Sequence, residues 1–158
     1  MTLALDIPKA FTPPGGWHGE MPPPILAGCD EPLVDGAPDL RGLWRSIDVT
    51  DDDGHPVHDS HPIRNYTERI EQAGNRAVVT SAGIIHDMYV DGTYENGVND
   101  VMQSDFTTRI SVAATYEDGA LVLHPDGFPD VKIRRWLEGD KLRWRYHTLF
   151  TATLERVG

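Results

Sequence analysis

The residues whose types could do chemistry gather in "SAGIIHDMYVDGTYENGVND", Ser81 to Asp100, where His86, Asp87, Tyr89, Tyr94, Glu95, Asn96, Asn99 and Asp100 supply more hydrogen-bonding groups than a hairpin needs. With Asp91-Gly92 taken as a two-residue type I′ turn, His86 and Glu95 become diagonal neighbours on one face, and Asp87 lies opposite Asn96 on the other. An imidazole oriented by a carboxylate is a general base near pH 7, because its ordinary pKa already lies close to working pH. A competing turn at Asn96-Gly97 gives a different pairing. The stretch therefore reads as a reaction centre, as the polar lining of a binding cavity, or as a solvated surface.

Arg135 is the other residue of interest. With Gly139-Asp140 as a tight turn, Ile133, Arg135 and Leu137 share a face with Leu142, Trp144 and Tyr146, and that face is apolar apart from the arginine. A guanidinium there must be paired or meet a polar ligand. It either binds a carboxylate, phenolate or carbonyl oxygen, with Trp144 and Tyr146 orienting it, or pairs with an internal acid such as Glu95, or snorkels out to water at a barrel mouth. The ligand-binding candidates are Arg135, Trp144, Tyr146, Tyr116, Met88 and Asn99. The catalytic candidates are His86 and Glu95 as the base, with Arg135 across the cavity to stabilise an oxyanion or enolate. Such a site can run a lyase, isomerase, hydratase or cyclase reaction without a cofactor. The loop "DDDGHPVHDSH" adds His55, His58 and His61 among Asp51, Asp52, Asp53 and Asp59. They are weak metal candidates, since the spacing matches no established ligand pattern and Pro56 and Pro62 argue against a helix presenting them together. No metal is expected.

The elements that must position these groups are strands. From Leu40 onward, β-branched and aromatic residues alternate with polar ones in runs separated by Asp-Gly, Gly-Asn or Gly-Asp pairs, the pattern of antiparallel strands joined by tight turns. The expected strands are Leu43 to Val49, Tyr66 to Gln72, Arg76 to Ala82, Ile84 to Val90, Thr93 to Gln103, Arg109 to Tyr116, Ala120 to His124, Val131 to Leu137, Lys141 to His147 and Phe150 to Val157. With Asp118-Gly119 as a turn, Val112, Ala114 and Tyr116 share an apolar face with Leu121 and Leu123. Strands in meander order without a convincing helix predict an all-β fold. The expectation is a closed antiparallel up-and-down barrel of about 8–10 strands, because closure removes exposed edges.

Residues 1–38 hold eight of the twelve prolines, so they predict an extended arm ahead of a barrel at 39–158. The arm is expected to lie across the domain or a neighbouring subunit, which makes a homodimer clasp possible. Against 14 Lys and Arg stand 25 Asp and Glu, a net charge of -11 that repels phosphate backbones and anionic membranes. Neither nucleic acid nor membrane is an expected partner. The start "MTLALDIPKAFTPPGGWHGE" lacks the basic and apolar regions of a signal peptide, and the single cysteine, Cys29, allows no internal disulfide. Both point to the cytoplasm.

The residues from Leu40 to the end resemble the calycin superfamily, the lipocalins and fatty-acid-binding proteins. In "DLRGLWRSIDV", Gly42 and Trp44 match the Gly-x-Trp that opens such barrels; in "TATLERV", Arg156 falls where the family stacks an arginine on that tryptophan; and "YEDGALVLHP" followed by "IRRWLEGDKLRWRY" is similar to the late strands of fatty-acid-binding proteins. The resemblance implies an interior arginine at Arg135 that helps hold a ligand carboxylate. The family's remaining clamp residues, an Arg-x-Tyr on the last strand, are Ala152 and Leu154 here, and Thr50 to Asn65 reads as loop where fatty-acid-binding proteins carry a helical lid. The implied function is interior binding of a small, largely apolar molecule with an anionic or carbonyl end. The acid/base enzyme is the alternative.

Overall fold

Asp118 and Gly119 both take positive φ, 50° and 78°, the backbone a type I′ turn requires. They set Tyr116 opposite Leu121 and Ala114 opposite Leu123, and the Gly139-Asp140 turn likewise sets Arg135 opposite Trp144 and Ile133 opposite Tyr146. Both registers are those expected from the sequence. The computed structural model describes residues 2–58 and 61–157.

The strands are β1 (Gly42–Thr50), β2 (Thr67–Ala73), β3 (Arg76–Ser81), β4 (Ile84–Tyr89), β5 (Val98–Val101), β6 (Arg109–Glu117), β7 (Ala120–Pro125), β8 (Ile133–Glu138), β9 (Lys141–Tyr146) and β10 (Phe150–Arg156). All pair antiparallel in one sheet of order β4-β3-β2-β1-β10-β9-β8-β7-β6-β5. Because β1 pairs with both β2 and β10, the sheet curls round until its two edges, β4 and β5, lie side by side. The result is a nearly closed up-and-down barrel. Among the described residues the 51–66 connection holds a 3₁₀ turn at Pro62–Asn65 rather than a helical lid.

The seam between β4 and β5 corrects the sequence reading. Asp91-Gly92 does not join a hairpin: β4 pairs with β3 and β5 with β6, and among the described residues Tyr89 N–H donating to Asn96 O is a lone backbone link across the gap. The expected strand from Thr93 to Gln103 shrinks to Val98–Val101, because residues 91–97 form a turn held by Asp91. Its carboxylate accepts from Thr93 N, Thr93 Oγ1 and Asn96 Nδ2. Gly97 then presses against the β6 backbone, where a Cβ would sit 1.9 Å from Val112 O.

The proline-rich arm lies on its own barrel. Ala4, Leu26, Ala73, Val78 and Ile85 form a second apolar cluster on the outer face of β2, β3 and β4, with Ile7, Ala10, Trp17, Ile25 and Cys29 packed on it. A chain this rich in proline cannot pair as a regular strand, so outward side chains satisfy its backbone. Arg76 donates to the carbonyls of Ala4, Ile7 and Pro8, Asp87 accepts from Ala10 N, and the Glu71 carboxylate accepts from Ile25 N and Leu26 N. Over the seam, Thr12 Oγ1 accepts from Ile85 N, Thr12 N donates to Asp100, and Lys9 Nζ donates to Gly97 O. A clasp on a second subunit would have to give up these contacts in cis, so the dimer expectation is not carried forward. Asp87 is likewise not the partner of Asn96; it forms a fully buried ion pair with Arg76.

Candidate functional site

Up-and-down connectivity sends alternate turns to opposite ends of the barrel, and the two ends differ. One end is sealed. Trp44 is fully buried, donates its indole N–H to Leu40 O at 2.9 Å, and carries the Arg156 guanidinium 4.4 Å above its ring. Gly42, at φ 147°, leaves room for that guanidinium, since a Cβ would lie 2.9 Å from Arg156 Nη1. At this end Gln72 accepts from Leu40 N and donates to Tyr116 Oη.

The other end is formed by the loops after β1, β3, β5, β7 and β9, and here the structure contains a cavity of about 1170 Å³. Its walls are inward side chains, among them Val79, Met88, Val98, Ile110, Val112, Leu123 and Ile133. Its rim carries Ile63, Phe106 and Phe128, the last of these exposed. Phe106 lies on the β3–β4 turn so closely that a Cβ at Gly83, itself at φ 81°, would sit 2.5 Å from its ring. The volume slightly exceeds the roughly 300–1,000 Å³ of ordinary ligand pockets.

One buried ionic group faces this apolar space. Arg135 Nε and Nη2 donate to the Glu68 carboxylate at 2.9 and 3.0 Å, and Tyr66 Oη donates to Glu68 Oε1 at 2.8 Å. Arg135 is 4% exposed, Glu68 0% and Tyr66 5%. Burial works against the Arg135 charge, but the Glu68 charge and hydrogen bonds outweigh it and keep the arginine protonated. Burial, reinforced by the Glu68 charge, pushes the Tyr66 hydroxyl well above its ordinary value, so it remains a donor. The guanidinium also lies 4.5 Å over the Trp144 ring. Trp144 packs at 4.9 Å on Tyr66 and at 5.2 Å on Phe150, and its own indole N–H is buried without a partner.

Of the residues expected from the sequence, Arg135, Trp144, Tyr146, Met88 and His86 border the cavity. Tyr116 does not, because it precedes the β6–β7 turn and belongs to the sealed end. Asn99 lies on the outer face of β5, where its amide donates to Tyr94 O and Glu95 O. Glu95 is exposed in the 91–97 turn, so the expected His86–Glu95 pair is not assembled, and Arg135 has Glu68 rather than Glu95 as its acid. The sequence reading missed Glu68. The signal was there: Tyr66, Glu68, Ile70 and Gln72 alternate onto one face of β2, which puts a carboxylate among apolar neighbours just as Arg135 stands on β8.

His86 Nε2 lies 3.0 Å from Val101 O. Burial holds this imidazole below its ordinary value, the neighbouring carbonyl and Asp100 only partly offsetting it, so His86 is a neutral donor to that carbonyl. The unfolded chain protonates this group near pH 6.5 while the folded chain resists, so His86 subtracts stability as pH falls below about 6.5. His86→Gln, which keeps an N–H for Val101 O, should flatten the stability profile measured by urea unfolding between about pH 7.5 and 5.5. An unchanged slope would count against this assignment.

The three loop histidines are not gathered. His61 caps the 3₁₀ turn by accepting from Ile63 N and packs edge-on against Phe150 at 5.6 Å. His55 instead stands near Asp51 and Asp53 at the surface, and Asp59 lies outside the described residues. Among the described residues no helix is long and apolar enough to cross a membrane.

The ten-stranded, nearly closed up-and-down barrel, with Trp44 and Arg156 stacked at its closed end, has the fold that the sequence led one to expect. No family model matches the sequence, and no curated protein does. Solved structures do match. The chain is similar to human cRBP IV, with 17% identity, a TM-score of 0.58, and coverage of 75% of this chain and 98% of that one. It is also similar to the zebrafish ileal bile acid-binding protein complexed with cholic acid, at 15% identity and TM-score 0.54, covering 74% and 98% of the two chains. A third is the REP1-NXSQ fatty acid transporter, at 16% identity and TM-score 0.53, covering 76% and 97%.

Proposed function

We propose that this chain binds a small, largely apolar molecule in the cavity, apolar body against β3–β8 and polar end toward Arg135 and Trp144. The observation that carries the reading is a largely apolar cavity of about 1170 Å³ with the buried Arg135, paired to Glu68, among its lining residues. Burying a lipid-sized body there removes apolar surface from water at about 25 cal/mol per Å². The likeness to a bile acid-binding protein and a fatty acid transporter supports a small, largely apolar ligand body. Cys29, a free thiol, suits an intracellular setting. The acid/base alternative loses its main support with Glu95 at the surface.

Nile red, an uncharged dye whose emission rises in apolar surroundings, tests the reading. One equivalent should bind the wild-type protein, and Ile110→Trp, which fills the cavity from β6, should weaken binding at least about tenfold, the equivalent of about 1.4 kcal/mol. Undiminished binding to Ile110→Trp, or no binding to the wild type, would remove the cavity as the site.

A further inference from the structure

An arginine inside an apolar cavity invites a carboxylate ligand, but here the position is already taken. Glu68 meets Arg135 through two hydrogen bonds, and Tyr66 commits its hydroxyl to the same carboxylate. The pair is neutral as a unit. A ligand carboxylate entering beside it would put a second anion next to Glu68 in a medium that screens poorly, and two carboxylates sharing such a site cannot both stay ionised without cost. The rest of a carboxylate clamp is missing too, since Ala152 and Leu154 on β10 are apolar and fully buried.

An uncharged ligand, whose polar end is a hydroxyl, carbonyl, ester or ether oxygen, enters beside the Arg135–Glu68 pair without adding a second anion.

We infer that the cavity selects uncharged ligands over carboxylates, because Glu68 excludes carboxylates by occupying Arg135. The inference rests on the cavity reading above, and competition separates the two. Hexadecanol and hexadecanoate, matched in chain length, are titrated against bound Nile red at neutral pH. Hexadecanol should displace the dye at a concentration at least about tenfold lower than hexadecanoate.

In Glu68→Gln, which leaves Arg135 charged and able to pair with a ligand, hexadecanoate should gain at least about tenfold and the order should narrow or reverse. Hexadecanoate equal to or better than hexadecanol in the wild type overturns the selectivity while the cavity stands. Hexadecanoate gaining nothing in a folded Glu68→Gln overturns the role of Glu68. Displacement by neither overturns both readings. Should Glu68→Gln fail to fold, the wild-type ratio still decides.

Discussion

Asp87→Ala is expected to lower stability by about 3–5 kcal/mol and to release the proline-rich arm, because it strands a buried charge. Arg76 and Asp87 are both fully buried, and two guanidinium nitrogens meet the carboxylate, Nε at 2.8 Å and Nη2 at 2.5 Å. Removing the carboxylate leaves Arg76 with only the arm carbonyls and orphans the Ala10 N–H, which donates to Asp87 at 2.8 Å. For a domain whose whole stability is about 5–15 kcal/mol, the loss is a large fraction. Asp87→Asn, which keeps an acceptor for Ala10, should fall between. Urea unfolding gives the energy, and protease cleavage within residues 7–38 reports whether the arm has come away. A loss under about 1 kcal/mol with the arm still protected would show that the pair is not its latch.

Trp44→Ala should cost about 3–5 kcal/mol, the usual range for deleting a fully buried large aromatic. Three connections disappear together: the packing of the ring at 0% exposure, its hydrogen bond to Leu40 O, and its face under Arg156. Since Trp44 stands opposite both Glu68 on β2 and Arg156 on β10, the closed end of the barrel loosens where the first and last strands meet. Trp44→Phe, which keeps a ring but no N–H, should lose distinctly less. A shift in urea midpoint equal for the two variants would assign the effect to the hydrogen bond rather than to the packing.

Much of the fold was legible because its turns are local. Asp118-Gly119 and Gly139-Asp140 fix registers from four residues of sequence, and period-two alternation on β6 to β9 then fixes which side faces in. Reading failed at the seam for the same reason. Asp91-Gly92 carries the local chemistry of a hairpin turn, but β4 and β5 are the two edges of a sheet that closes through β1 and β10, and that closure is written nowhere near residue 91. A hairpin at that turn puts Glu95 on the face of His86, whereas in the folded chain Glu95 stands exposed in the 91–97 turn. Arg135 was visible as an anomaly on an apolar face. Its partner Glu68, 67 residues earlier, sits on a strand whose polar residues, Glu68 and Gln72, resemble a solvated face until Tyr66 and Ile70 are seen to share it. The rim residues Phe106 and Phe128 lie in loops, where no periodicity marks them.

The arm's docking site has a consequence for how the chain is made. Every residue of β3 is buried, because the barrel covers one face and the arm the other. Residues 2–38 leave the ribosome before the strands they cover, so the segment synthesised first has nothing to dock on until β2, β3 and β4 have appeared. Without the arm, Val78 and Ile85 would present an apolar outer wall to solvent, beside two strand edges that have not yet met. Such surfaces pair readily with other chains. The arm thus serves the nascent protein as a shield already at hand when that wall forms, and shortened forms lacking residues 2–38 are expected to collect in the insoluble fraction even where the strands themselves can form.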